Sequence, residues 1–402
     1  MTPPHAGDAG LAEDLARHAS FGCKVSGSAG DLATAQWIAA RLRLLGFSVK
    51  EEPVEVPYFE PESCELRCGD ARAMLYPQAP VLTVAAGGLE APLVVVRAAA
   101  DAAEASGAIA LLLLPHGLHA SLDSPVLAPL LAAVLAAGAR AAVIVPTGPT
   151  GEWVALNAPL QADRHLPLAV LAPRDAEPFL AAARRGASAR LLLAGRQERR
   201  RTPNLHAQLR RGPRWLCLST PRTGWFTCAT ERGTGTAAFL AMAAWAVHRF
   251  PAHSVYAVNT GAHEYRFAGA HAALAQAPLP ACTDAWVHFG AALAARDRLE
   301  IRGRAIELPS AESRRFTMAT PALAGAAREA FAGLPGLEVV LPPVPEVSEL
   351  GAIVARGYER AFAVLGLPRV FHTPADVLEA TDARLVAPVL RAHMAVVEAA
   401  LA

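Results

Sequence analysis

Short apolar segments alternate with longer segments of helical periodicity along most of the chain. The first clear example is residues 26–56, where apolar residues recur every three or four positions and so predict a helix. This stripe consists of Leu32, Ala35, Ile38, Leu42 and Leu45. Asp31 is the expected N-cap, Gly46 is expected to end the helix, and the segment FSVKEEPVEV is expected to continue as a strand.

The sequence pattern changes between residues 78 and 199, where short apolar segments typical of strands alternate with Ala-rich segments typical of helices. This pattern predicts a small inserted α/β domain. The most apolar run, residues 125–145, is broken by Pro129, Gly138 and Arg140, which favours a buried helix, a turn and a buried strand over a membrane span. The Arg-rich segment RQERRRTPN that follows the insert is interpreted as a solvated linker.

Beyond this segment, apolar strands such as RWLCLS, HSVYAVNTG and DAWVHFGAAL alternate with helical segments. Residues 1–77 and 200–402 are therefore predicted to form one α/β domain, a doubly wound mixed sheet with helices on both faces. Ligand sites in such sheets lie beyond the carboxyl ends of the strands. One of these ends carries two adjacent ionisable residues, His263 and Glu264, which become the first candidates for a site.

Composition excludes some classes of function but does not indicate a particular one. The 402 residues are 53% hydrophobic and 18% charged with a net charge of +1, enough for a large core and without a basic stripe for nucleic acid. The N-terminus lacks a signal-peptide pattern, so a cytoplasmic protein is expected. The six cysteines are scattered, and Cys64 and Cys68 have no second pair to complete a zinc knuckle, which favours reduced thiols.

Several segments together resemble the M28 family of zinc aminopeptidases. GSAGDLATAQWIAARLRLLGFSV is similar to the first long helix of the family, residues 78–199 resemble a protease-associated (PA) domain, and HTPAD resembles the terminal histidine loop. The order and spacing of these segments extend the resemblance over nearly the whole chain. The resemblance implies an M28-like fold with an inserted PA-like domain.

Members of this family hold two zinc ions with five side chains, one of them a bridging carboxylate, and use a Glu as general base. In this sequence Thr220 stands in the position of the first His ligand and Arg222 in that of the Asp two residues later. Glu231 stands at the bridge, followed by Arg232, and Gly290 replaces the Asp of the third strand. The resemblance therefore implies that one of the two zinc sites is lost.

The other zinc site keeps its residue types. The resemblance implies that Glu231, Glu264 and His372 could hold one zinc ion with an open fourth position, and that His263 replaces the usual Glu base. This arrangement also resembles the single-zinc glutaminyl cyclases, which share the fold. The leading hypothesis is a one-zinc hydrolase or cyclase that acts on a peptide, an amide or an amino-acid conjugate.

Two alternatives remain open. A guanidinium from Arg222 or Arg232 could fill the vacated metal position and pair with Glu231 and Glu264, which would give a catalytically inactive relative that binds a peptide or protein without metal. A metal-free enzyme could instead use His263 with Glu264 or Glu231 as an acid–base pair.

Other residues are assigned by position alone. The candidates for substrate binding are Arg222, Arg232, His288, Ser348 and Glu349. His288 could also substitute for the missing third-strand Asp. A structural role is weighed for each site residue: a strand-end cap for His263, an ion pair for Glu264 and a loop hydrogen bond for His372. Cys228 is interpreted as a buried thiol, no membrane contact is expected, and a homodimer is possible.

Overall fold

The computed structural model describes residues 8–161, 165–302, 304–344 and 347–402. The first seven residues, part of the N-terminus used above for the targeting expectation, lie outside this description. The helices are α1 (Asp8–Ser20), α2 (Ala29–Leu44), α3 (Leu127–Ala136), α4 (Glu177–Arg184), α5 (Thr234–Arg249), α6 (Ala268–Ala273), α7 (Pro321–Ala330), α8 (Glu349–Ala355) and α9 (Ala383–Leu401).

The strands of the first half are β1 (Ser48–Cys68), β2 (Ala71–Pro77), β3 (Leu89–Val96), β4 (Ile109–Leu113), β5 (Ala141–Val145), β6 (Leu168–Leu171) and β7 (Ser188–Leu209). Those of the second half are β8 (Trp215–Pro221), β9 (Ser254–Thr260), β10 (Thr283–Phe289), β11 (Arg296–Ile301), β12 (Arg304–Ala311), β13 (Arg315–Ala319), β14 (Val340–Leu341) and β15 (Ala361–Gly366).

The main sheet has the order β1-β7-β9-β8-β10-β15-β13-β14. Its centre, β9-β8-β10-β15, is parallel, and β7 and β13 add antiparallel strands on either side. Helices α1, α2, α5, α7 and α9 supply buried apolar residues to the cluster on one face, and α6 and α8 to the cluster on the other. The predicted doubly wound mixed sheet with helices on both faces is confirmed.

Strands β3 to β6 and the beginning of β7 form a closed ring together with β2 and the end of β1, which precede residue 78. The end of β1 pairs with β2, the ring continues through β6, β5, β4 and β3, and β3 pairs with the beginning of β7, which pairs with the end of β1 again. The apolar run 125–145 forms α3 and β5, as the sequence predicts. Within the described parts of the chain, no helix has the length and apolar character needed to cross a bilayer.

A long two-stranded ribbon joins the ring to the main sheet. β1 and β7 pair antiparallel from Ser48 opposite Gln208 to Arg67 opposite Arg190. The Arg-rich segment lies inside β7, so its interpretation as a linker is wrong. Its guanidinium groups contact carboxylates of the ribbon, for example Arg196 with Glu60 at 2.5 Å, and these pairs offset charge along the strand.

Prolines recur at every fourth residue of β1, at positions 53, 57 and 61. Pro53 lies opposite Pro203, and two prolines cannot exchange the N–H bonds of a hydrogen-bonded pair. The backbone at these positions therefore faces away from β7, and Pro57 O accepts a hydrogen bond from the Tyr265 hydroxyl at 3.1 Å. The missing N–H groups protect the outer edge of β1 from pairing with other strands.

The start of α2 differs from the sequence prediction. Ser28 is the N-cap, because its Oγ accepts from the Asp31 N–H at 3.2 Å. The prediction of Asp31 as N-cap is wrong, since its carboxylate binds Arg222 in the interior at 2.8 Å. Gly46 follows the helix with a φ of +89°, as expected for a helix terminus.

Candidate functional site

Three chain segments meet beyond the carboxyl ends of the parallel strands. A tight turn after β9 carries His263 and Glu264, a π-helical turn before α5 carries Glu231, and the loop after β15 carries His372. His372 and Ala262 adopt left-handed backbone conformations with φ of 59° and 51°, which non-glycine residues rarely do. Such geometry at a strand end often accompanies a functional site.

Arg232 lies beside two of the three predicted metal ligands, Glu231 and Glu264. Its Nη2 is 2.8 Å from Glu231 Oε1 and 3.9 Å from Glu264 Oε1, and its Nε donates to Thr223 O at 2.5 Å. His372 Nε2 approaches Glu231 Oε1 to 3.2 Å. The four charged or titratable side chains are at most 1% exposed. A buried cation thus stands among the carboxylates that the resemblance assigns to zinc.

The charged groups of this cluster are close together, but several of them are not oriented for hydrogen bonds. Several buried polar atoms have no hydrogen-bond partner among the described residues; they are Glu231 Oε1 and Oε2, Arg232 Nη1 and Nη2, Glu264 Oε1 and His372 Nε2. The short distance between Arg232 and Glu231 is therefore an ion-pair contact without hydrogen-bond alignment. The cluster is held mainly by charge attraction and by the surrounding packing.

The two carboxyl groups differ in pKa because their surroundings differ. Burial raises the pKa of Glu231, but the Arg232 guanidinium and His372 outweigh it and hold this pKa at about 2. Burial raises the pKa of Glu264 to about 7, since the more distant Arg232 compensates only in part. Glu231 is therefore ionised at neutral pH, and Glu264 titrates close to it.

His263 and Glu264 are adjacent in sequence but point to different partners. The Nδ1 of His263 lies 2.8 Å from Glu349 Oε1, and the Glu349 carboxylate accepts from the Thr260 hydroxyl at 3.1 Å. Glu264 Oε2 accepts from the Ser26 hydroxyl at 2.9 Å. Burial, followed by the Arg232 charge, places the pKa of His263 well below its usual value. The imidazole is thus neutral, and the structure brings it to Glu349.

The other sequence candidates lie in separate networks. Arg222 pairs with Asp31 and also donates to Asn259 Oδ1 at 3.0 Å. The Nδ1 of His288 lies 2.9 Å from Ser219 Oγ, and burial lowers its pKa to about 4. Ser348 precedes α8 with a buried hydroxyl that has no partner among the described residues.

Sequence reasoning missed one residue of this region. Asp376, in the HTPAD segment, accepts from the backbone N–H groups of Thr230 and Glu231 at 2.6 and 3.0 Å and so fixes the turn that carries Glu231. Its carboxylate, Glu231 and the Cys228 thiol have ligand atoms within 4.8 Å of one another. Burial places the pKa of Cys228 well above its usual value, which agrees with a buried, unreactive thiol.

The inserted segment covers the site. Ala155 donates its N–H to His372 O at 3.0 Å, and its carbonyl accepts from His372 Nδ1 at 2.9 Å. Ala158 donates to Glu264 O at 2.9 Å. Two of the three segments with predicted ligands are therefore hydrogen-bonded to residues 155–158, and the His263 side chain, 12% exposed, is more accessible to solvent than Glu231, Arg232, Glu264 and His372.

A cleft of about 850 Å³ opens next to this cluster, between the ribbon, the strand ring and the turn after β9. Its aromatic lining consists of Tyr58, Phe59, Tyr76, Trp153, Trp225, Phe226 and Tyr265. Tyr265 follows Glu264 directly, so the cleft borders the buried cluster. The volume and aromatic lining are typical of ligand-binding sites.

The chain sequence matches no protein-family model and no curated protein. Its structure is similar to BSAP, a zinc aminopeptidase from Bacillus subtilis, at 16% identity and TM-score 0.74 over 100% of this chain and 96% of that one. An aminopeptidase from an Aneurinibacillus strain aligns at 15% identity and TM-score 0.69, covering 98% of this chain and 94% of that one. Porphyromonas gingivalis glutaminyl cyclase aligns at 10% identity and TM-score 0.50, covering 98% of each chain. The fold is that of the M28 zinc aminopeptidases, and at these identities the likeness is one of fold alone.

The types and positions of the residues at this site can be compared with those that a zinc ion needs. Two carboxylates and an imidazole are suitable ligand types, but zinc needs their atoms at about 2.0–2.2 Å from one point. The Nη2 atom of Arg232 lies 2.8 Å from Glu231 Oε1 and 3.9 Å from Glu264 Oε1, the atoms that would have to bind the ion. A guanidinium keeps its positive charge at all accessible pH values and repels a metal ion. With Arg232 in this position, the three predicted ligands do not fit zinc.

Proposed function

We propose that this protein is a metal-free, non-catalytic relative of the zinc aminopeptidases that binds a peptide. The observation that carries the proposal is the buried guanidinium of Arg232, 2.8 Å from Glu231 Oε1. It supplies the positive charge that the family obtains from a metal ion. The backbone hydrogen bonds from Ala155 to His372 and from Ala158 to Glu264 support the same conclusion, because they hold a loop of the chain against two of the carboxylate-bearing and imidazole-bearing segments, and the Glu231 and Glu264 side chains are at most 1% exposed.

The proposal is tested by zinc content. We expect the wild-type protein, loaded with zinc and freed of excess, to hold none by plasma mass spectrometry. In Arg232→Asn the cation is lost and the carboxylates become available, so this variant should take up about one zinc per chain. Adding Glu264→Gln to Arg232→Asn should reduce this uptake, because one of the ligands is then lost. About one zinc per wild-type chain, released by Glu264→Gln alone, would overturn the proposal.

The second candidate is a single-zinc hydrolase or cyclase. It is favoured by the acceptor atoms without partners on Glu231, Glu264 and His372, which are the ligand set that the resemblance implies. In that case Arg232 must move away when metal binds. Metal in the wild type, lost in Glu264→Ala, would support this function and justify assays with aminoacyl amides and peptides with an N-terminal Gln.

A metal-free acid–base enzyme is favoured by one contact, the 2.8 Å approach of His263 Nδ1 to Glu349 Oε1. A carboxylate in this position orients an imidazole and stabilises its protonated form. Hydrolysis of a peptide or amide that persists in chelator and disappears in His263→Ala would support this reading.

A further inference from the structure

The outer edge of β7 is unpaired where it borders the aromatic cleft. β7 pairs with β3 over residues 188–191 and with β9 over residues 205–209 on the edge opposite to β1. Among the described residues, no strand pairs with this edge between these two stretches. Gln197 and Arg199, which lie there, both line the cleft.

The direction of the backbone groups on this edge follows from alternation along the strand. Leu193 O accepts from Val84 N–H at 3.1 Å, and Pro203 O accepts from Arg222 Nη2 at 2.5 Å, so both carbonyls face away from β1. Backbone direction alternates with every residue of a strand. The N–H and C=O groups of Gln197, Arg199 and Arg201 therefore face outward as well.

An edge of this kind is a template for one more strand. Unpaired N–H and C=O groups in a row bind an extended peptide by main-chain hydrogen bonds, and nearby pockets then select its side chains. The outer edge of β1 is a poor template for an added strand, because prolines remove its outward N–H groups at positions 53, 57 and 61. The edge of β7 carries outward donors at three alternate positions and borders seven aromatic side chains.

Charge at this edge favours an acidic ligand. Arg199 and Arg201 both approach the same carboxylate, Glu55, at 3.9 and 3.5 Å. Their side chains are 58% and 71% exposed. The cleft lining also carries Glu62 and Glu198, of which Glu198 is paired with Arg196 and Arg200. Two guanidinium groups that share one carboxylate still leave an excess of positive charge at Arg199 and Arg201, where a carboxylate of the ligand is favoured.

We infer that an extended peptide with apolar side chains and an acidic residue binds in this cleft as an added strand on the edge of β7. The inference rests on the proposed function, because it names the site and class of the peptide. Apolar side chains of the peptide contact the aromatic lining, its main chain pairs with Gln197 and Arg199, and its acidic residue contacts Arg199 and Arg201.

The test begins with random octapeptides displayed on phage and selected on the purified full chain. A selected peptide is synthesised with blocked ends and a fluorescent label, and its Kd is measured by fluorescence anisotropy. Gln197→Pro removes one outward N–H, whereas the matched control Gln197→Ala keeps it. We expect Gln197→Pro to bind about tenfold more weakly than Gln197→Ala, and Arg199→Gln to weaken binding most at low salt.

A second measurement does not depend on the folding of the proline variant. N-methylation of alternate residues of the selected peptide should weaken binding to the wild type in one register and leave it unchanged in the other, since alternate N–H groups of an added strand face β7. No enriched peptide, equal affinity of both Gln197 variants, or equal effects of both methylation registers would overturn the inference. Zinc content of the same preparations tests the proposed function separately, because peptide binding with bound zinc would overturn the function and keep this site.

Discussion

Arg222 and Arg232 are both fully buried guanidinium groups, yet their partners differ. Arg232 lies against Glu231 and Glu264, as one alternative from the sequence anticipated. Arg222 instead pairs with Asp31 at the start of α2. The sequence could predict a cation near the aligned ligand positions, because the resemblance places Arg222 in a ligand position and Arg232 directly after Glu231. It could not predict which arginine this is, since the partner of Arg222 comes from a distant helix.

The pair of Arg222 and Asp31 predicts a large effect on stability. Asp31→Ala leaves a buried guanidinium without its carboxylate, so we expect unfolding free energy to fall by about 3–5 kcal/mol. Urea unfolding of wild type and variant measures the difference. Thr202→Val, which removes only a neutral acceptor of Arg222, is the control and should cost about 1 kcal/mol. A change below that of the control in Asp31→Ala would contradict this account.

At the scale of elements, patterns of apolar residues predicted α2, the interior of the insert and the parallel strands well. The Arg-rich segment was misinterpreted as a linker because a run of charged residues is typical of irregular, solvated chain. In the structure these arginines are indeed exposed, but they lie on strand β7 beside glutamates of β1. Cross-strand pairing over such a distance in sequence leaves no local signal. The closure of the strand ring could not be predicted for the same reason, because it depends on which distant strands pair and no single segment encodes it.

Helix α9 gives a prediction at this scale. Its N-cap is Asp382, whose side chain accepts from the Arg384 N–H at 2.8 Å and also contacts the Arg296 and Arg384 guanidinium groups. Asp382→Ala loses cap and charge and should lower the free energy of unfolding by about 1–2 kcal/mol. Asp382→Asn keeps the capping oxygen and should cost less than half as much in chemical denaturation. Equal losses would show that the ion pairs, and not the cap, dominate.

The whole molecule buries many titratable groups, and they act on stability in opposite directions. Burial lowers the pKa of His393 to about 4, and this ring packs among Phe289, Phe331 and Phe362. Burial raises the pKa of Asp376 and Glu264 to about 7. Stability from His393 is therefore lost as pH falls from about 6.5 to 4, whereas stability from the two carboxyls is lost as pH rises from about 4 to 7.

The contribution of His393 to the pH dependence of stability can be measured by comparing the wild type with a variant that lacks this residue. His393→Leu removes the group that must be protonated on unfolding in acid, so stability of the variant relative to wild type should improve by about 3 kcal/mol between pH 7 and pH 4. Thermal or urea unfolding at several pH values measures this change. A constant difference between the two proteins across this range would show that the His393 pKa is not shifted by folding.

The prolines of β1 also bear on how the protein is made. On the ribosome β1 emerges first, and β7, its main partner, follows only after the whole insert has been synthesised. During this interval a long strand with charged and apolar residues waits without its partner and could join the strands of other nascent chains. Three prolines remove donors from its outer edge, so that such misassembly is disfavoured at this edge and only the edge that later pairs with β7 keeps a full row of donors. The same residues that keep the edge of the finished ribbon free thus also protect one of the two edges of β1 in the growing polypeptide.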